Sequence, residues 1–458
     1  MTVSYRLSSV AVAALLAAGL PALDAKAADL NGNLGGDCCA DLEARVAQLE
    51  ATTARKGNKK VSLTVSGRVN ATVMWWRDNS AGTDNDEAHD SKSDVYFGNS
   101  AVDTTHPVPQ GEGTRITFAG DGKISADATA GFRMTIGNDF GGANTQFSYQ
   151  TGSVLAPDTT YVFLKSKTWG EYRLGNLPSA SDDAYYIDFG APGTVGGLAG
   201  TRFLGTFHLR ATNQPGELTD VTYGHVLGEL NDLNDNRLMY ISPTWNGFAY
   251  KSDVGNKTGS VALTWSGSSG TLHGAAGAGY EVSRGHTGAN LGNASFVPAA
   301  SSAFSPLTDS SNDTLRQAVV SASVMESNSG LFLTGEWSRA YAAISGRDDA
   351  VNWYARTGWV KNVTGLGNTV IDAQYERTDN KLANGTSAHL WGLGIDQAID
   401  SVASNIYLHY QHDSFDTSGA VTTASSSSST TECADGSPIC TVDAQSIDSL
   451  TAGMVIAF

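Results

Sequence analysis

The chain has 458 residues, with Lys+Arg 29 against Asp+Glu 46, a formal charge of −17, and only 16% charged residues beside 51 Gly and 11 Pro. The acidic balance argues against a nucleic-acid binder, which needs a basic stripe. Few charges with abundant Gly and aromatics fit many strands and turns, not a helical enzyme or a disordered chain. After residue 27 no stretch reaches the ~18 apolar residues of a membrane helix.

Residues 1–27 read as an export signal. Arg6 supplies the positive end, Val10 to Leu20 is apolar, Pro21 breaks it, and Ala25-Lys26-Ala27 fits a small-x-small cleavage site. Cys38 lies too far from the apolar run for a lipoprotein. In residues 28–60, Leu42, Val46 and Leu49 are spaced four and three. Two heptads are too short to be stable alone. This segment is either an amphipathic helix packed on the body or a short coiled coil between copies. Arg55 to Lys60 forms a basic linker. An exported chain permits disulfides. Cys433 and Cys440 flank Gly436 and Pro438 and are candidates for a loop-closing bridge. The adjacent Cys38 and Cys39 either pair between chains or stay reduced.

From Val61 the pattern turns to period two. Val61, Leu63, Val65, Val69, Ala71, Val73 and Trp75 share one face, and Ser62, Thr64, Ser66, Arg68, Asn70 and Thr72 the other. Residues 124–136 alternate in the same way. A transmembrane barrel needs about 9–11 residues per strand, apolar toward lipid and polar toward the lumen. Sixteen candidates begin near 61, 113, 124, 158, 169, 236, 247, 259, 271, 315, 331, 351, 368, 387, 404 and 446. Short links, such as Gly120–Lys123 and Ser327–Gly330, alternate with mostly longer ones: 78–112, 138–157, 177–235, 284–314 and 415–445. The expectation is an all-β, antiparallel, up-and-down transmembrane barrel of about 16 strands over 61–458. Both ends then lie on the periplasmic side. Loops 78–112, 177–235 and 415–445 carry −7, −6 and −4, together −17 of the −18 left once residues 1–27 are removed. Met454, Ile456 and the terminal Phe458 alternate, as suits a last strand presented for outer-membrane insertion.

Signals for chemistry are weak. Nine His are scattered without a zinc spacing. Asp84-Asn85-Asp86-Glu87 with Asp90 lacks the glycine and distal glutamate of a calcium loop. No enzyme, metal or cofactor is expected.

Several passages together resemble a Gram-negative outer-membrane porin of the rhizobial, alphaproteobacterial type. They are residues 36–70, 160–176 (TYVFLKSKTWGEYRLGN), 237–248 (RLMYISPTWNGF) and 450–458 (LTAGMVIAF). The resemblance implies a sixteen-stranded barrel, usually a homotrimer, with the third loop folded inward to narrow the pore. Its partners would be small hydrophilic solutes and ions, with outer-membrane lipid and lipopolysaccharide outside.

Alternation then points Arg68, Arg115, Arg133, Lys165 and Arg173 into the lumen as a basic wall. The long loop 177–235 carries Asp182, Asp183 and Asp188 and a Gly-rich stretch that can fold back. A basic wall facing an acidic loop sets a transverse field that sorts solutes by charge. Asp372 and Glu376 also point inward on a later strand. Trp75, Trp76, Trp169, Tyr172, Trp353, Trp359, Tyr407 and Tyr410 are candidates for aromatic girdles, some of them facing the lumen instead. Two functions follow: a passive diffusion channel, or a barrel whose acidic loops serve as an adhesin or receptor.

Overall fold

The computed structural model describes residues 60–79, 93–98, 114–139, 154–185, 187–190, 207–210, 218–228, 230, 235–284, 314–417, 421–422, 440–441 and 445–458. The signal, the helical part of 28–60, the Asp84–Asp90 run and Cys433 lie outside the described residues.

The strands are β1 (Thr64–Asp78), β2 (Ser93–Gly98), β3 (Arg115–Lys123), β4 (Ala128–Asp139), β5 (Val154–Ser166) and β6 (Gly170–Leu177). Two short ones, β7 (His208–Arg210) and β8 (Leu218–Thr222), precede a single helical turn, α1 (Tyr223–Val226). Then come β9 (Asp235–Ile241), β10 (Phe248–Gly255), β11 (Thr258–Ser269), β12 (Leu272–Arg284), β13 (Thr314–Glu326) and β14 (Leu331–Tyr341). The last are β15 (Ala350–Lys361), β16 (Thr369–Asp379), β17 (Ser387–Ile399), β18 (Ser404–Asp416), β19 (Val421–Thr422), β20 (Cys440–Thr441) and β21 (Gln445–Ala457).

Seventeen of these strands form one antiparallel sheet. β2 pairs with Thr72–Arg77 and β3 with Thr64–Arg68 of the same edge of β1, so the two are halves of one stave. The sheet is therefore a closed barrel of sixteen staves. Closure runs from Arg68↔Ala457 to Asp78↔Ile447 between β1 and β21. The Gly67 N–H donates to the Phe458 carbonyl and the Phe458 N–H to Gly67, both at 2.9 Å. A closed ladder leaves no sheet edge unpaired.

Strand starts follow the sequence pattern closely, with two differences. β2 falls inside the stretch read as loop 78–112. The first short turn is Ile124–Asp127, not Gly120–Lys123. Ser125 fixes it there: its Oγ accepts from the backbone N–H of Asp127 at 3.2 Å and of Ala128 at 3.0 Å. Asp127 in turn accepts from Ser166 Oγ at 2.5 Å and Thr168 Oγ1 at 3.2 Å, tying this turn to the next. Those bonds, Ser166 foremost, hold its carboxyl below the usual range.

Outward faces are apolar: Val69, Val73 and Trp75 on β1 are exposed, while Asn70, Thr72 and Asp78 are buried on the inner face. Aromatics collect outward near both ends. Trp169, Tyr172, Trp245, Phe248 and Phe458 lie at the short-turn end, and Trp75, Trp353, Tyr375 and Trp391 at the other. Such rings suit the two membrane–water interfaces. Trp76 and Tyr407, also girdle candidates, point inward, because adjacent residues of a strand face opposite ways. Met454, Ile456 and Phe458 share the outward face of the closing edge.

Two turn positions give opposite expectations. Gly330 has φ +80°, and a Cβ there would lie 2.1 Å from the Val360 carbonyl oxygen. Ala403 sits at φ 47°, where an L side chain costs roughly 1–2 kcal/mol. Gly330→Val destabilises the folded barrel by ~1–3 kcal/mol and lowers its urea midpoint, and Ala403→Gly stabilises it by ~1 kcal/mol and raises the midpoint. Loss of the heat-modifiable band on gels across a urea series measures both.

Candidate functional site: a loop seated inside the barrel

The connection between β6 and β9 turns into the barrel, and its described residues form two arms. The first contains a 3₁₀ turn, Asp182–Ala184. It lies along the inner faces of β10 to β15. The Ala180 N–H donates to Asp253 Oδ2 at 2.6 Å and Ser260 Oγ at 2.7 Å, and Ser181 Oγ to Glu281 Oε2 at 3.1 Å. Beneath them Arg237, fully enclosed, bridges Asp253 at 2.9 Å and Glu281 at 3.3 Å. Gly277 of β12 permits the close approach, since a Cβ there would meet Ile187 Cδ1 at 2.6 Å. Further on, the Phe189 N–H donates to Ser323 Oγ at 3.0 Å.

The predicted acidic residues are the anchors of this arm. Asp183 pairs with Lys251 of β10. Asp182 is buried. Asp188 receives Arg356 Nη1 at 2.6 Å and Thr334 Oγ1 at 2.7 Å, and the same guanidinium donates through Nε to Asp372 at 3.0 Å. The partners Lys251 and Arg356 were not identified from sequence. Alternation gives each a direction, but only the inter-strand register shows which loop residue each meets.

The second arm, within 207–230, seats on the inner faces of β1, β16 to β18 and β21. Phe207, Leu209, Tyr223, Val226 and Leu227 form one buried cluster with Met74, Trp76, Leu390, Tyr407, Phe415 and Ile447. Phe207 meets Trp76 edge-on at 5.0 Å, and Tyr223 meets Phe415 at 5.1 Å. Such pairs add ~0.5–1.5 kcal/mol each to the burial. The Tyr223 hydroxyl donates to Asp413. Burial, then the Asp413 carboxylate, pushes that phenol well above its ordinary value. Lys381 Nζ donates to the Leu227 carbonyl at 3.1 Å and Gly228 N–H to Thr378 Oγ1 at 3.1 Å, closing the arm's C-terminal end.

The five predicted cations occupy the inner faces of β1 and β3 to β6. Arg68 and Arg115 are direct cross-strand neighbours. Arg133 lies across from Ala119 and Tyr161, exposed on the inner face of β4. Arg173 stacks over Tyr161 at 5.1 Å and donates to Glu171 at 2.6 Å. Lys165 reaches Glu171 at 3.4 Å with its side chain 62% exposed, close to the short-turn end. The described contacts of both loop arms thus go to β9–β18, β21 and the upper half of β1, while these cations line the adjoining wall. Cys440 belongs to the β19–β20 ladder.

At the outer end, Arg347 clamps two neighbouring loops. Its guanidinium donates to the carbonyl oxygens of Asp348 at 2.7 Å and Asn380 at 2.5 Å. Burial brings its pKa down to about 10.

Arg356→Ala leaves Asp188 and Asp372 enclosed without their shared cation, which costs ~3–5 kcal/mol for a buried pair. The expected result is a lower urea midpoint and larger current fluctuations in a planar bilayer, from a loop held at one anchor fewer.

Residues 11–418 match the family model described as Gram-negative porin. No curated protein matches the chain significantly. Among solved structures it is similar to the loop L8 deletion form of OmpT, an outer membrane protein of Vibrio cholerae. That match has TM-score 0.51 and 11% identity, covering 87% of this chain and 100% of that one. It is also similar to an anion-selective porin from Comamonas acidovorans, at TM-score 0.51 and 15% identity, with the same 87% and 100% coverage. At these identities the likeness shows a shared fold. A closed sixteen-stave barrel with apolar outside, polar inside and an inserted loop, matched over most of its length by that family model, places the chain among the Gram-negative porins: it belongs to that family and is an integral β-barrel of the outer membrane.

Proposed function

We propose that this porin is a passive diffusion channel for small hydrophilic solutes and ions, and not an enzyme. The observation that carries the reading is the division of the inner wall. Both arms of the inserted loop are fixed to one part of it by ion pairs and apolar packing, and the basic residues of β1 and β3–β6 line the rest. Asp183 and Asp188 are engaged at their anchors, and Lys165 and Arg173 are partnered by Glu171, so within the basic wall of Arg68, Arg115, Arg133, Lys165 and Arg173 the first three set the field along the passage. These cations form the constriction wall and favour anions.

The finer features belong to the same proposal. The chain is exported by a signal over 1–27 that is then removed, carries a short periplasmic segment over 28–60, and assembles as a homotrimer of the rhizobial type. The family-like passages at 36–70, 160–176, 237–248 and 450–458 support this. Cys433 and Cys440 close the last long loop. Lipid and lipopolysaccharide contact the outward apolar face.

One observation favours a second reading, an adhesin or receptor with little conductance: the apolar seat of the second arm inside the mouth.

Planar-bilayer recording of the detergent-purified protein separates the two. A diffusion channel gives stepwise insertions, in multiples of three for a trimer, with a steady open state. A folded, heat-modifiable barrel that conducts nothing supports the receptor. In a salt gradient, replacing Arg68, Arg115 and Arg133 together by Gln shifts the reversal potential toward cations. The anion-to-cation permeability ratio falls by about fivefold, the factor for ~1 kcal/mol, one charge contact at ~4 Å in water. High salt shrinks the difference by screening. An unchanged reversal potential rejects the basic wall.

A further inference from the structure

We propose that Asp372, Asp396 and His409 form a binding site for a divalent transition-metal ion on the inner wall of the barrel, zinc being the best-suited probe. The three come from adjacent strands β16, β17 and β18, and all three side chains are buried on the inner face. No local motif joins them; the register does. Asp372 lies across from Gly394, and Gly394 lies across from His409. Asp396 follows two residues after Gly394, on the same face. One ligand atom from each of the three lies within 4.8 Å of the others.

The spacing fits a shared ion. His409 Nε2 and Asp396 Oδ2 stand 3.1 Å apart. Two ligands at ~2.1 Å from one tetrahedral zinc are separated by about 3.4 Å, so the pair need part by only a few tenths of an ångström to take the ion between them. Gly394 keeps the space open, since a Cβ there would lie 2.7 Å from Asp372 Oδ1 and 2.6 Å from His409 Nδ1.

A second observation is independent of that geometry. The Asp372 side chain is 1% exposed, and its Oδ2 accepts from Arg356. Its Oδ1 is enclosed, faces the cluster and has no hydrogen-bond partner among the described residues. Such an oxygen, on a charged group, is costly to leave unsatisfied. A cation beside His409 and Asp396 satisfies it without disturbing the Arg356 bond. Charge points the same way. Asp188 and Asp372 share the guanidinium of Arg356, and Asp396 faces His409, so the carboxylates outnumber the fixed cations and a divalent ion offsets the excess. The donor set of two carboxylates and one imidazole suits zinc, manganese or cobalt. Calcium wants six to eight oxygens, and soft copper(I) wants sulfur. Because Asp372 also holds Arg356, and Arg356 holds Asp188, the ion would sit one carboxylate away from the anchor of the inserted loop.

Titration calorimetry with zinc chloride on the EDTA-stripped, detergent-purified full chain tests this, comparing wild type with His409→Gln and Asp396→Asn. Heat-modifiable migration checks that each variant is folded. Wild type is expected to take up one more equivalent than either variant, or each variant to bind that equivalent at least ~100-fold more weakly. Identical isotherms, or no uptake by wild type, overturn the proposal and leave the cluster as a network satisfied by Arg356 and water. If neither variant folds, cobalt(II) absorption of the wild-type protein decides. A d–d band without thiolate charge transfer supports the site. Its absence, or a spectrum dominated by thiolate at Cys38 and Cys39, rejects it.

Discussion

Hydrocarbon offers no partner to a peptide N–H or C=O, and the rest of this structure depends on that constraint. A strand that crosses it must bond on both edges, so the sheet has to close on itself. Closure here is made by backbone groups from opposite ends of the chain, with Gly67 and Phe458 bonded to one another at the seam. Once closed, the sheet has an inside, and alternation sends every second residue there. The polar residues that period two places on one face become a lumen lining by topology alone.

The second layer of organisation is electrostatic. A long loop brought into a barrel carries its own charge into a confined space. The cost is met by matched partners on the wall: Lys251 for Asp183, Arg356 for Asp188. Breaking one member leaves a buried charge, so these pairs fix position more than they add net stability. Apolar packing supplies the complementary hold on the other arm, where Met74 and Trp76 break the polar lining of β1 and receive Phe207 and its neighbours.

Most of the barrel was legible in the sequence. Fifteen-residue β1 announces itself by alternation from Val65 to Trp75, and the start of each later stave lies within a few residues of its expected position. The misplaced turn at 124–127 was decided by one serine whose side chain competes for backbone N–H groups, a choice that alternation does not encode. β2 was missed because six residues in an acidic stretch give too little periodicity. Inward direction could be read for Arg68, Arg133 and Asp372 alike. What could not be read is who meets whom. The contact of Asp188 with Arg356 joins residues far apart in the sequence, and the convergence of Asp372 and His409 on either side of Gly394 depends on a register between neighbouring strands that alternation alone does not set.

The second loop arm touches both sides of the seam at once. Phe207 packs on Trp76 of β1, and the same cluster includes Ile447 and Val455 of β21. The first and last staves are the most distant in sequence, and pairs of that kind are slow to form, because chain entropy is lost before any contact compensates it. An arm already docked on β16 to β18 presents its free apolar side where β1 must arrive. The inserted segment is then a template for assembly as well as an occupant of the finished lumen. Its apolar side offers Trp76 and Ile447 one shared surface, which shortens the search by which the ends of the barrel find one another.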